Sequence, residues 1–333
     1  MRATVIGAGV AGLTCATELQ KRGAAVTVVD RAVALGPASC SWWAGGMLAP
    51  WCEGESAEAP VVRLGQRAAD WWETHAGGVV RRGTLVLAPA RDSGEVARFA
   101  RRTENFETLD DTAIGALEPE LAGRFRRGLF FGAEAHLDPR VATAALAERL
   151  EAGGAVLRFG TDARHAPPGD ITVDCRGLAA RDLLPDLRGV RGEMLVLRSR
   201  DLQLSRTIRL LHPRIPIYLV PRGEGVYMVG ATMIESASRS PVSARSLLEL
   251  LSAAYALHPA FGEAEVVEIG VDARPAFPDN LPRVARVGDS IFVNGLYRHG
   301  FLLAPAMAQR AAALAFGETE EGDNADRLER QAL

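Results

Sequence analysis

The stretch ATVIGAGVAGL, residues 3–13, decides the fold. Its apolar start up to Ile6 reads as a short buried strand, and Gly7, Gly9 and Gly12 follow at the spacing of a tight strand-to-helix turn. In such a turn the first glycine allows the sharp bend and the second lets backbone amides approach a pyrophosphate. The third lets the helix pack closely on the sheet. The phosphates of a bound ligand then meet a positive helix terminus. The next apolar run, VTVVD, ends in Asp30, about the right distance downstream to accept hydrogen bonds from a ribose hydroxyl pair. Strand, turn, helix and acid together predict an adenine dinucleotide site at the head of the chain.

Composition narrows the remaining choices. At 333 residues the chain is longer than one ordinary core, which predicts two domains or one domain with a large elaboration. A formal charge of -3, with both signs interspersed, offers no field for a polyanion. Neither nucleic acid nor a membrane surface is therefore expected, and the partners are small molecules. Lys21 is the sole lysine, so neither a Schiff-base lysine nor a phosphate-loop lysine is available. Cys15, Cys40, Cys52 and Cys175 form no CxxC pair, which predicts reduced thiols in a cytoplasmic protein and argues against a disulfide reductase. No HExxH or GxSxG occurs, so neither a metal site nor a serine triad is expected. The apolar N-terminus is cut by glycines and reads as structure rather than a signal. No apolar run is long enough for a membrane span.

Working outward from the first unit, SCSWWAGGMLAP at 39–50 is glycine-rich, aromatic and apolar, as if laid against a flat partner. An amphipathic pattern over 59–75 predicts one helix, and RRGTLVLAPA predicts a strand entering a different sheet. Helical patterns at 93–104 and 111–118, the strand-like GLFFG and the turn HLDPR lack parallel βαβ character. A helix over 139–150 and the strands AVLRFG and ITVDCRG return to the nucleotide unit. GEMLVLR, PIYLVPR and GVYMVGAT are strongly β, the last two joined at Gly223–Gly225 as an antiparallel sheet requires. The helix SARSLLELLSAAYAL, the strand SIFVNG, the turn YRHG and the helix FLLAPAMAQRAAALAFG complete the chain. This predicts a discontinuous dinucleotide domain (1–80, 139–185 and 272–320) interrupted by an antiparallel second domain (81–138 and 186–271). Residues 321–333 are expected to form a flexible tail.

In an open parallel sheet the ligand lies beyond the carboxyl ends of the strands. The two best-marked ends are Gly7–Gly12 and Gly295–Gly300, which predicts one shared crevice. The second corner launches a helix whose first amides offer positive potential to an atom that becomes anionic during reaction. Arg298 sits in that corner, where a guanidinium binds a carboxylate bidentately; a capping or surface arginine is the alternative. Arg274 precedes Pro275 and is therefore extended and fixed in direction, with a domain-linking salt bridge as its alternative. Tyr218 lies between two prolines that suit a strand edge, either presenting its hydroxyl to the cleft or buried in the sheet. His299 is read as a turn histidine bonding backbone, with contact to substrate or flavin as its alternative. Trp42 and Trp43 are read as filling space near the cofactor or packing under it. No acid or base in the cleft stands out.

Five separated segments resemble the flavin-dependent D-amino acid oxidases, and among them the glycine oxidases of thiamine biosynthesis. They are WWAGGMLAPWCE (42–53), GEMLVL (192–197), YLVPRGEGVYMVGATM (218–233), ARPAFPDNLP (273–282) and GLYRHGFLLAPAMA (295–308). The resemblance covers nearly the whole chain. It implies an α/β fold with a discontinuous FAD-binding Rossmann-like domain and an antiparallel-sheet α+β substrate domain. It also implies that AGGML lines the isoalloxazine ring, that Tyr218 borders the substrate, and that Arg274 and Arg298 face the substrate carboxylate. The residues so assigned to the cofactor are Gly7, Gly9, Val10, Ala11, Gly12, Asp30, Arg31, Ser41, Ala44, Gly45, Gly46, Met47, Gly177, Arg298, His299, Gly300, Phe301 and Leu302.

No cysteine follows Cys175, whereas relatives with covalent flavin carry one near the C-terminus, so non-covalent FAD is implied. The chain departs from the family pattern in its short 159–174 segment and in DCRG, both on the adenine side. The implied reaction is oxidative deamination of glycine, or of sarcosine or D-alanine, by hydride transfer to flavin N5, with the substrate carboxylate on Arg298, helped by Tyr218 and Arg274. Oxygen would take the electrons, giving hydrogen peroxide, and the imine would serve thiamine thiazole synthesis. A D-amino acid or secondary-amine dehydrogenase using a quinone is the alternative, and a redox-silent dinucleotide module a more distant one. A homo-oligomer, a tetramer by likeness, and transfer of imine to thiazole synthase are the implied associations.

Overall fold

The computed structural model describes residues 1–318, so the expected tail at 321–333 lies outside the described residues. Two sheets organise the chain. The first has six strands in the order Arg283–Val287, Ser290–Asn294, Ile171–Asp174, Arg2–Ile6, Ala25–Val29 and Val156–Arg158. Its pairings are parallel except the edge pair of Arg283–Val287 with Ser290–Asn294. Ala3, Thr4 and Val5 on the central strand are all buried, as a parallel strand covered on both faces requires.

The helices Val10–Lys21, Pro139–Ala152 and Gly300–Phe316 contribute Leu13, Leu19, Leu146, Leu303 and Met307 to the core around this sheet. The last of these helices contains Pro305, which removes the amide that Phe301 O would otherwise accept. The Trp72 indole Nε1 donates to that carbonyl instead, at 2.7 Å. Gly317, at φ +68°, ends the helix in the left-handed region.

The second sheet runs in the order Ile234–Glu235, Arg188–Arg198, Val226–Gly230, Ile217–Pro221, Thr207–Leu210, Thr84–Leu87, Arg127–Phe131 and Glu107–Asp110. The strand Glu265–Ala276 pairs along Arg188–Arg198 as well. Every pairing is antiparallel except that of Thr207–Leu210 with Thr84–Leu87. The helix Ala244–Leu257, capped by the Ser243 hydroxyl, packs Leu250, Ala254 and Leu257 into this sheet's core.

Several expectations need correction. The pattern over 59–75 forms two helices, Ala59–Gly65 and Ala68–His75. Gly65 meets Leu302 where a Cβ would lie 2.8 Å from its side chain, and the chain turns there before burying Trp71 and Trp72. The strands Thr207–Leu210, Glu265–Ala276 and Arg283–Val287 were not read from the sequence. In Glu265–Ala276, charges, Gly270 and Pro275 break the alternation that marks a strand. The Tyr218 strand is interior, not an edge: Pro216 precedes it and Pro221 ends it, so neither proline interrupts the ladder.

Candidate functional site

One cavity of about 1350 Å³ is lined from both sheets. It takes in Gly7, Gly9, Val10, Ala11, Asp30, Arg31, Ser41, Ala44, Gly45, Gly46, Met47, Gly177, Tyr218, Arg274 and the run Arg298–Leu302. Gly12 alone among the nominated residues is not on its wall. It lies behind the turn, where a Cβ would collide with the Gly7 carbonyl oxygen. Its part is therefore the close helix packing read from the sequence. The volume exceeds the roughly 300–1,000 Å³ of an ordinary single-ligand pocket, as a dinucleotide with a second small ligand needs.

The amino-terminal corner has the geometry such a ligand requires. Gly7 adopts φ +104°, and the helix from Val10 is entered through extended Gly9. The Ser41 hydroxyl accepts the Val10 amide at 3.0 Å, tying the segment after 39 to the helix start. One oxygen of Asp30 accepts the Ala8 amide at 2.6 Å and the other the Ala32 amide at 2.7 Å. Each oxygen keeps a lone pair for a hydroxyl. These residues fit the adenosine and pyrophosphate half of FAD.

Around the other end, glycines make room for two polar side chains. A Cβ on Gly45 would lie 2.7 Å from Tyr218 Cε2, and one on Gly230 would lie 2.7 Å from the Tyr218 hydroxyl oxygen. Gly192 likewise leaves space that the Arg274 guanidinium fills. Burial raises the Tyr218 hydroxyl above its ordinary value, so it is a neutral hydrogen-bonding group. Arg222, missed in the sequence, donates to Gly45 O at 2.8 Å and Leu137 O at 3.1 Å and so pins the AGGML segment from behind. Trp42 is not on the cavity wall; the Arg140 guanidinium lies 4.4 Å from its ring centroid. Trp43 is on the wall and packs closely on Gly270.

At this end the guanidiniums of Arg209, Arg239, Arg274 and Arg298 and the buried carboxylates of Glu53 and Asp272 line the cavity. Arg239 pairs with Asp272 at 2.6 Å. Glu53, on the helix Pro50–Glu53, reaches Arg298 at 2.8 Å and Arg209 at 3.3 Å. Burial alone would raise the Glu53 carboxyl, but Arg298, Arg209 and His299 outweigh it and hold it well below the usual carboxylate range. Arg298 also donates to the Ser56 hydroxyl at 2.7 Å. Arg274, in contrast, makes no salt bridge among the described residues and donates only to Thr232 O, at 3.2 Å.

Two readings of this region change. The cleft does hold acids, Glu53 and Asp272, which no local spacing revealed. The His299 imidazole is engaged by side chains rather than backbone, with Nε2 2.9 Å from Glu53 Oε2 and 3.1 Å from Arg298 Nε. Burial lowers its pKa despite Glu53, so the ring is neutral near pH 7. Cysteine nucleophiles have no support here, since burial pushes the Cys40 thiol on the wall up to about 12.

Comparison with known proteins agrees with this geometry. A family profile, DAO, described as FAD dependent oxidoreductase, matches residues 2–314. A Rhizobium etli protein provisionally named thiamine biosynthesis oxidoreductase ThiO is 60% identical over 94% of this chain and 95% of its own length. A Pseudomonas aeruginosa protein named glycine oxidase is 27% identical over 95% of each chain. The crystal structure of glycine oxidase from Geobacillus kaustophilus superposes with a TM-score of 0.83 at 24% identity, covering 97% of both chains.

Proposed function

The chain belongs to the DAO family of FAD-dependent oxidoreductases, and from that premise we propose that it oxidatively deaminates glycine or a similarly small amine. When bound, FAD supplies a two-electron acceptor for the substrate Cα–H bond. The observation that carries the reading is Arg274: a cavity-wall guanidinium with no acidic partner among the described residues, beside the neutral Tyr218 hydroxyl. Such a guanidinium suits a carboxylate as a bidentate partner. Arg274, rather than the Arg298 favoured from the sequence, is the primary anchor. Arg298, already held by Glu53 and Ser56, orients the neighbouring wall.

Positioning supplies most of the rate enhancement. Both oxygens of the Glu53 carboxylate are engaged by Arg209 and Arg298, which weakens it as a base toward a Cα proton and favours hydride transfer from the amine with a free nitrogen lone pair. The first sheet with its helices is the proposed cofactor domain and the second the proposed substrate domain.

Oxygen as acceptor, with hydrogen peroxide as product, belongs to the same proposal. So does delivery of the imine to thiazole synthesis, supported by the pathway in the name of the 60% identical relative. The test is peroxide release from purified holoenzyme across glycine, sarcosine and D-alanine. Peroxide with glycine or sarcosine is expected. Flavin reduction without peroxide, relieved by a quinone, would instead favour the dehydrogenase.

A further inference from the structure

Two guanidiniums share one carboxylate on the cavity wall. Arg209 Nη2 lies 3.3 Å from Glu53 Oε1 and Arg298 Nη2 lies 2.8 Å from Glu53 Oε2. Glu53 is 5% exposed, so the bridge is largely shielded from water. Neither arginine is saturated by it. Arg209 Nη1 is buried without a hydrogen-bond partner among the described residues, and Arg298 Nη1 meets only the Met233 sulfur, at 3.9 Å. All three side chains line the cavity that also holds Arg274. Paired guanidiniums in a shielded wall demand an anion, and here the protein supplies it from its own chain.

We propose that Glu53 determines the charge class of the substrate. Its carboxylate stands where a second anionic group of a substrate would bind. The cavity therefore takes amines carrying one carboxylate, on Arg274, and rejects those carrying two. A second carboxylate approaching Arg209 and Arg298 meets the Glu53 charge at short range in a weakly screened site. With that charge removed, the same two guanidiniums become an open anion pocket. The inference rests on the amine-oxidising reading above, but its binding arm does not need turnover.

Sarcosine and iminodiacetate make a matched probe pair, differing by one carboxylate on the N-substituent. Wild-type holoenzyme is expected to favour sarcosine in kcat/KM by at least about tenfold, and Glu53→Gln to raise the iminodiacetate-to-sarcosine ratio by at least about tenfold. Adding Arg209→Met to Glu53→Gln should remove most of that gain. Structural damage alone would lower both substrates together and leave the ratio unmoved. Calorimetric binding of the two compounds to oxidised holoenzyme reads the same preference without chemistry. Intact binding preference without turnover counts against the oxidase reading, whereas lost preference counts against Glu53. An unchanged ratio in Glu53→Gln overturns the proposal. Should that variant not fold, wild-type calorimetry decides: iminodiacetate weaker by about tenfold supports the role of Glu53, and iminodiacetate equal or tighter overturns it.

Discussion

Arg274 spends one hydrogen bond on Thr232 O and keeps the rest of its donor fork for the cavity. Removing it by Arg274→Met should lower kcat/KM for glycine by the cost of a lost charge-assisted pair, about 2–4 kcal/mol or roughly 30- to 800-fold. A loss below about threefold would show that the carboxylate is held elsewhere. The place of Arg274, Tyr218 and Arg298 on the cavity wall was legible in the sequence because each sits under a local constraint: a following proline, a strongly β run, a strand-to-helix corner. Glu53, Arg209, Arg222, Arg239 and Asp272 were not. Their significance comes from pairings between segments far apart in the chain, such as Glu53 with Arg209 and Arg298, and no spacing rule reaches that far. His299 was misread for the same reason, since its partner Glu53 comes from the helix Pro50–Glu53.

Among elements, the turn from Arg2–Ile6 into Val10–Lys21 is the most constrained. A glycine-to-alanine change inside a helix ordinarily stabilises by up to about 1 kcal/mol. Gly12→Ala should do the reverse, because the added Cβ runs into the Gly7 carbonyl. A destabilisation of about 1–3 kcal/mol is expected, with FAD retained poorly on purification. A thermal midpoint and flavin content equal to wild type would contradict this.

The short helix Pro50–Glu53 is anchored by a different device. Glu134, fully buried, accepts the Cys52 amide at 2.7 Å, and burial raises its carboxyl to about 7 despite that hydrogen bond. The folded state therefore keeps a proton that the unfolded chain releases near the ordinary glutamate value. Stability from this group is full below that value and is lost as pH rises to about 7. The slope is at most about 1.4 kcal/mol per pH unit. Glu134→Gln should flatten this part of the profile in denaturant unfolding measured from pH 5 to about 7. An unchanged slope would mean that Glu134 is ionised throughout. The strands missed from the sequence, above all Glu265–Ala276, carry charges toward the cavity or into pairs, and those charges erase the alternation on which strand recognition depends.

Over the whole molecule, the discontinuous architecture was readable because two signals recur at long range. Glycine corners mark the carboxyl ends of parallel strands, and a cluster of β-rich runs with short turns marks the other sheet. Strand order and the single parallel pairing in the second sheet depend on long-range contacts, which periodicity does not encode. What joins the two sheets functionally is the one cavity that takes in the Gly7 turn, the Gly295–Gly300 corner and Arg274. The account stands on that cavity holding FAD and a small amino acid together. Anaerobic titration of the purified yellow holoprotein with glycine and sarcosine, followed by flavin absorbance, tests it most directly. Bleaching by at least one of the two, greatly slowed in Arg274→Met, is the predicted result; colour that persists through both titrations would contradict it.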